Sequence, residues 1–142
     1  MAVFLNNGVG VKVNSVDLSD HVNNITLNRN FDELEVTAMG DSGHKFIKGL
    51  EASSITLDFL NDTATASVLQ TLQSTWGQNV IVKVVQDRGN GTPTISATNP
   101  LYTMTVLVNG TTPVNGATGD LSTQSITWNV SGIIDVATTG TF

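Results

Sequence analysis

From Leu50 to Leu60 the chain reads L-E-A-S-S-I-T-L-D-F-L, and its second half sets Ile55, Leu57 and Phe59 against Thr56 and Asp58. Strict alternation of this kind marks a β-strand with one face buried. The same pattern recurs. Tyr102, Met104, Val106 and Val108 line one face of a long strand, with Leu107 on the other among threonines, and Ile126, Trp128 and Val130 mark a final one. Val9 to Val13 alternates as well, and Asn14-Ser15 reads as the turn that returns it through Val16-Asp17-Leu18. Val22 to Thr37 fits one long bent strand or two, with Ile25 and Leu27 in its first run and Leu34 and Val36 in its second. Val80 to Val85, interrupted only by Lys83, reads as a strand covered on both faces for much of its length.

One segment has a different period. Asn61-Asp62-Thr63 offers an N-cap, and Thr65, Val68, Leu69, Leu72 and Trp76 follow at helical spacing until Gly77. This predicts a single helix about 22 Å long lying on one side of a sheet. Runs of strands with one helix give a mainly β (α+β) class: an antiparallel β-sandwich or flattened barrel with one flanking α-helix and a long projecting loop. The 142 residues fit one domain, 1–142, with a frayed tail from about 137 to 142.

Charge narrows the function. Charged residues are 13% of the chain, about half the usual share, and Thr, Asn, Ser and Gly take their place. From Gly89 onward the only charged side chains are Asp120 and Asp135. With a net charge of −6 and no basic cluster, the electrostatic footprint of a nucleic-acid binder is missing. No stretch of about 20 apolar residues suggests a membrane span, and MAVFLNNGVG lacks the pattern of a signal peptide, so a cytoplasmic origin is expected. Zero cysteines exclude disulfides and thiolate metal sites. Asn-X-Ser/Thr triplets at Asn24, Asn61, Asn90, Asn109 and Asn129 are those expected by chance in such a composition.

The stretch Gly40-Asp41-Ser42-Gly43, with His44 next, resembles the surroundings of a nucleophilic serine. Such a serine needs a base within hydrogen-bond reach and a third group to orient that base. A glycine-flanked loop between strands fixes neither, so nucleophile chemistry is not expected. Asp41 with His44, and Asp17 and Asp20 with His21, gather no metal-ligand spacing and read as solvated turn residues. Trp76, Trp128 and Tyr102 fit the core or its margin better than a sugar-binding platform.

The loop itself, about 38 to 49, needs a reason, because structureless loops of twelve residues are uncommon in compact domains. As a hairpin it reaches up to about 20 Å, beyond the radius of about 14 Å expected of the domain. It carries Met39, Phe46 and Ile47, so it reads as an arm that packs on another copy of the chain; the alternative folds it back to bury Phe46 on its own sheet.

Phe31-Asp32-Glu33-Leu34-Glu35-Val36-Thr37, then Met39-Gly40-Asp41-Ser42, then Lys45-Phe46-Ile47-Lys48-Gly49-Leu50, with Phe59 to Asp62 closing the next strand, form an ordered series. This series resembles the tail tube (major tail) proteins of long flexible-tailed phages, particularly those of actinobacterial hosts, over roughly Val13 to Val130. The resemblance implies six copies in a ring and rings stacked into a tube that conducts DNA during ejection. It implies location in the virion tail after assembly in the host cytoplasm, and contacts with tape measure and terminator proteins. It implies no catalytic residue, cofactor, metal or specific nucleic-acid binding. Carried over by position, Met39, Gly40, Asp41, Ser42, Gly43, His44, Lys45, Phe46 and Ile47 become the inter-subunit arm, with Gly40 and Gly43 shaping its turns. The sequence stops at Phe142, where some relatives continue into an immunoglobulin-like domain, so the tube-forming core alone is expected. The rival readings are a tail terminator, a capsid decoration protein, and a carbohydrate-binding sandwich module.

Overall fold

The computed structural model describes residues 8–89 and 92–142; residues 1–7 and 90–91, and with them the Asn90 triplet of the loop 87–98, lie outside the described residues. Two antiparallel sheets face each other across one core. The first strand, β1 (Gly10–Val13), turns back into β2 (Val16–Asp17) through Asn14 and Ser15. Both turn residues have positive φ, 50° and 68°, as a two-residue turn matched to the strand twist requires. A 3-10 turn at Ser19–His21 leads to β3 (Val22–Asn28).

The stretch 22–37 resolves as two strands, because β4 (Phe31–Glu35) leaves the sandwich and pairs only with β5 (Phe46–Glu51). The continuous strand expected from Leu50 is broken at Ala52-Ser53, and β6 (Ser54–Leu60) begins after it. Past the helix α1 (Val68–Ser74) come β7 (Asn79–Val85), β8 (Leu101–Leu107), β9 (Thr123–Asn129) and β10 (Asp135–Ala137). The five-stranded sheet runs β10-β8-β7-β1-β2 and the three-stranded sheet β3-β6-β9.

Alternation places the core as the sequence indicates. Val13, Val82 and Met104 form one inward row of the larger sheet, and Ile55 with Trp128 and Leu57 with Ile126 are the matching pairs of the smaller. Trp128 and Phe59 are buried, and side chains of that size each contribute about 1.5–3 kcal/mol or more by leaving water. Gln124, on the same inward face, is buried but satisfied: Thr111 Oγ1 and the Thr112 amide donate to its oxygen, and its nitrogen donates to Asn61. It thereby pins the loop before β9 to the end of β6.

Three further expectations are corrected. The helix is seven residues, not fifteen, because Asp62 accepts from the Ala64 amide and from Ser67 Oγ, and Ala66 takes a φ of 59°, which an α-helix does not allow. Thr65 therefore falls outside the buried stripe of Val68 and Leu72; at the other end the helix stops at Ser74, and Trp76, just before Gly77 turns the chain toward β7, is 52% exposed. Strand β7 is covered on both faces only at its end, where Val84 and Val85 are both buried; before that, Ile81 points outward and is half exposed. The segment after Ala137, expected to fray, returns across β1, where Lys12 Nζ donates to the Phe142 main-chain oxygen and stands 4.6 Å from its ring centre.

Candidate functional site

The residues singled out for function lie on the β4–β5 hairpin. Its stalk is longer than the loop the sequence suggests, starting where the Ala52 amide donates to the Asn30 carbonyl. Leu34 stands opposite Ile47, Glu35 opposite Phe46 and Glu33 opposite Lys48; the ladder is then interrupted by a bulge, where Asp32 faces both Gly49 and Leu50. Gly49 is required here, because a Cβ on it would lie 2.7 Å from the Asp32 carbonyl oxygen. Beyond the strands the Val36 amide still donates to Lys45, and the Lys45 amide donates to Thr37 Oγ1.

Asp41 closes the tip. Its amide donates to the Ala38 carbonyl, its carboxylate accepts from the Ala38 amide at 2.8 Å, and the Lys45 ammonium sits 2.9 Å away. The Ala38 amide first, and then Lys45, hold the Asp41 carboxyl below the usual carboxylate range. Gly40, with φ of 90°, takes the left-handed third position of this turn, which leaves Met39 at the apex fully exposed. Gly43 has no positive φ, so of the two glycines expected to shape the loop only Gly40 uses that freedom.

Opposed residues share a face, so the register sorts the hairpin into two surfaces. One carries Asp32, Leu34, Val36 and Ile47, and the other Phe31, Glu33, Glu35, Phe46 and Lys48, with the Lys48 ammonium 5.6 Å from the centre of the Phe31 ring. Phe46 is 54% exposed and Ile47 52%, so the hairpin does not fold back to bury Phe46 on its own sheet. Phe31, Leu34, Val36 and Leu50 are exposed as well. Sequence reasoning put none of these four in the site; the signal available was a strand with apolar residues at both parities, as in F-D-E-L-E-V, which a one-sided sheet does not need.

The hydrolase-like motif sits on this tip. His44 Nδ1 lies 2.7 Å from Glu35 Oε1, the contact that orients a catalytic imidazole, yet no hydrogen bond joins Ser42 to His44, and the imidazole is 75% exposed. The other candidates are dispersed. His21 pairs with Asp62 at 2.8 Å and Asp20 with Arg88, and among the described residues no group of three carboxylate or imidazole side chains gathers around a metal-sized space. Asp62 is held below the usual carboxylate range, chiefly by the Ala64 amide and then by Ser67, with His21 adding a smaller pull. Trp128 is in the core while Trp76 faces outward, so they make no common platform.

No protein-family model and no curated protein matches this chain. Among the described residues no helix is long and apolar enough to cross a membrane.

Proposed function

We propose that the chain is a structural subunit of a virion, a tail tube protein that self-assembles into rings and stacks them into a channel for DNA. The observation that carries this reading is the hairpin: a two-stranded sheet outside the sandwich, with large apolar side chains exposed on both surfaces and Met39 at its apex. An isolated two-stranded hairpin is marginal in water, and so many apolar groups on it call for a partner surface. The ordered motifs from Phe31 to Leu50 that resemble tail tube proteins are the residues of this same hairpin.

A second feature supports the channel role. The outer face of the three-stranded sheet presents Asn24, Thr26, Thr56, Ser125 and Thr127, with Asp58 as the formal charge among its strand residues. A surface of hydroxyls and amides without cations gives passing phosphates nothing to hold. The reading assigns no catalysis, cofactor or metal to the chain, and its partners are copies of itself and other tail proteins.

Negative-stain microscopy of the purified protein tests it. Hollow tubes or six-fold rings are expected. A stable monomer that binds glycans would instead favour the carbohydrate-binding module, and a single closed ring that never stacks would favour a terminator.

A further inference from the structure

On the outer face of the five-stranded sheet one ammonium has no acid opposite it: Asp17 on β2 stands across from Lys12, but Lys83 lies on the far side of Lys12. Lys12 on β1 and Lys83 on β7 stand directly opposite each other in the ladder, and like charges so placed repel. Lys12 is occupied by the carbonyl and ring of Phe142. Lys83 has no ion pair or hydrogen bond among the described residues. Next to it on the same face, Thr103 offers no charge, and Asp135 is one strand further away. The two lysines border a hollow of about 340 Å³ with Ser15, Ile81 and Phe142. Ile81 and Leu107, both exposed, continue the same face as an apolar surface, because Ile81 is opposite Thr105 and Leu107 lies two residues beyond it.

Along β7, then, an unpaired ammonium and an exposed aliphatic group stand two residues apart on one face, at Lys83 and Ile81. The hairpin carries the complementary pair at the same interval: Asp32, with no partner side chain among the described residues, and Leu34, followed by Val36 and flanked by Ile47. Two residues of strand span about 6.6–6.8 Å in either element, so the two rows match in spacing as well as in sign. Between 31 and 51 the hairpin is acidic overall, with Lys45 and Lys48 against Asp32, Glu33, Glu35, Asp41 and Glu51.

We infer that the outer face of the five-stranded sheet receives the hairpin of a second copy of this chain, with Asp32 entering the hollow beside Lys83 and with Leu34, Val36 and Ile47 covering Ile81 and Leu107. The inference rests on the proposed role of the hairpin as an arm and adds its acceptor. Donor and acceptor are different surfaces, so the contact is head-to-tail and propagates into a ring or a fibre, not a two-fold dimer.

A charge exchange tests it in the full chain. Asp32→Lys and Lys83→Glu each place like charges in the contact; Asp32 is exposed and Lys83 half-buried at the rim of the hollow, both outside the core, so folding, checked by circular dichroism, is retained. Each variant alone is expected to lose association at least about tenfold by sedimentation velocity. An equal mixture should recover it, because the arm of either variant then meets an acceptor of opposite charge on the other. The inference is overturned if both variants associate like the wild type, or if each fails and the mixture fails too. A variant with 31–51 replaced by Asn-Gly separates the two levels. If it cannot associate while the charge variants can, the hairpin is an arm that docks elsewhere; if it associates normally, the arm reading itself falls.

Discussion

Asp41 shows how one residue of a motif is spent on structure. In G-D-S-G the aspartate, not the serine, makes the contacts: it accepts from the Ala38 amide, meets Lys45, and so closes the turn that carries Met39. Hydrogen bonds to the ionised carboxylate lower its proton affinity in the folded chain. A group whose folded value is depressed stabilises the fold above its unfolded value, about 3.9 for aspartate, and loses that contribution as the pH falls through the lower folded value. The tip is therefore expected to stay closed down to the acid side of the usual aspartate range. Titration of the Asp41 carboxyl carbon by NMR should give a midpoint below that of an aspartate in an unfolded peptide. Lys45→Ala should move the midpoint up without restoring the unfolded value, since the larger contribution comes from the Ala38 amide. A wild-type midpoint at the unfolded value would remove Asp41 from the tip's support.

Among the elements, the hairpin and the sandwich differ in what holds them. Strand β6 lies between β3 and β9 with Ile55, Leu57 and Phe59 in the core, whereas β4 and β5 pair as strands only with each other and are tied to the sandwich at their base, where the Ile134 amide donates to Glu51. In the monomer, the hydrogen-bonded amides of β4 and β5 are expected to exchange much faster than those of β6, and to gain protection on assembly. Exchange followed by mass spectrometry checks both, and equal protection of the two in the monomer would contradict the division. The difference also explains what could be read in the sequence. One-sided burial gives a period of two, so β6, β8 and β9 were legible residue by residue. In Val22 to Thr37 the period alone left two arrangements open, because alternation does not say which partner a strand takes. The helix is shorter than its spacing suggests because Thr65 and Trp76 keep helical spacing outside it, while the local contacts of Asp62 and the positive φ at Ala66 turn the chain before Ser67, which a period does not register. In the candidate site, the loop and its apolar end were visible. Its stalk was not, since Phe31 and Leu34 look like core residues until the pairing leaves them without a sheet to cover them.

For the molecule as a whole, the proposed head-to-tail contact between hairpin and sheet face would couple stability to concentration. The proposed assembly would engage only the folded chain, because both the hairpin register and the row of Lys83 and Ile81 exist only when the strands are paired. A partner that binds the native state alone stabilises it by RT ln(1 + [L]/Kd), about 2.7 kcal/mol when the free concentration is a hundred times Kd. For a chain near 150 residues, 1 kcal/mol moves the melting temperature by about 2–4 °C, so a hundredfold excess over Kd is worth roughly 5–10 °C. The melting temperature should therefore rise with protein concentration across the association range and stay flat below it. The variant lacking 31–51 should melt at one temperature throughout, close to that of the dilute wild type, because its core residues Phe59, Trp128 and Val82 are untouched. A wild type whose melting point ignores concentration, in a range where sedimentation shows assemblies, would mean that the contacts do not select the folded chain, against the docking of a paired hairpin on a paired sheet.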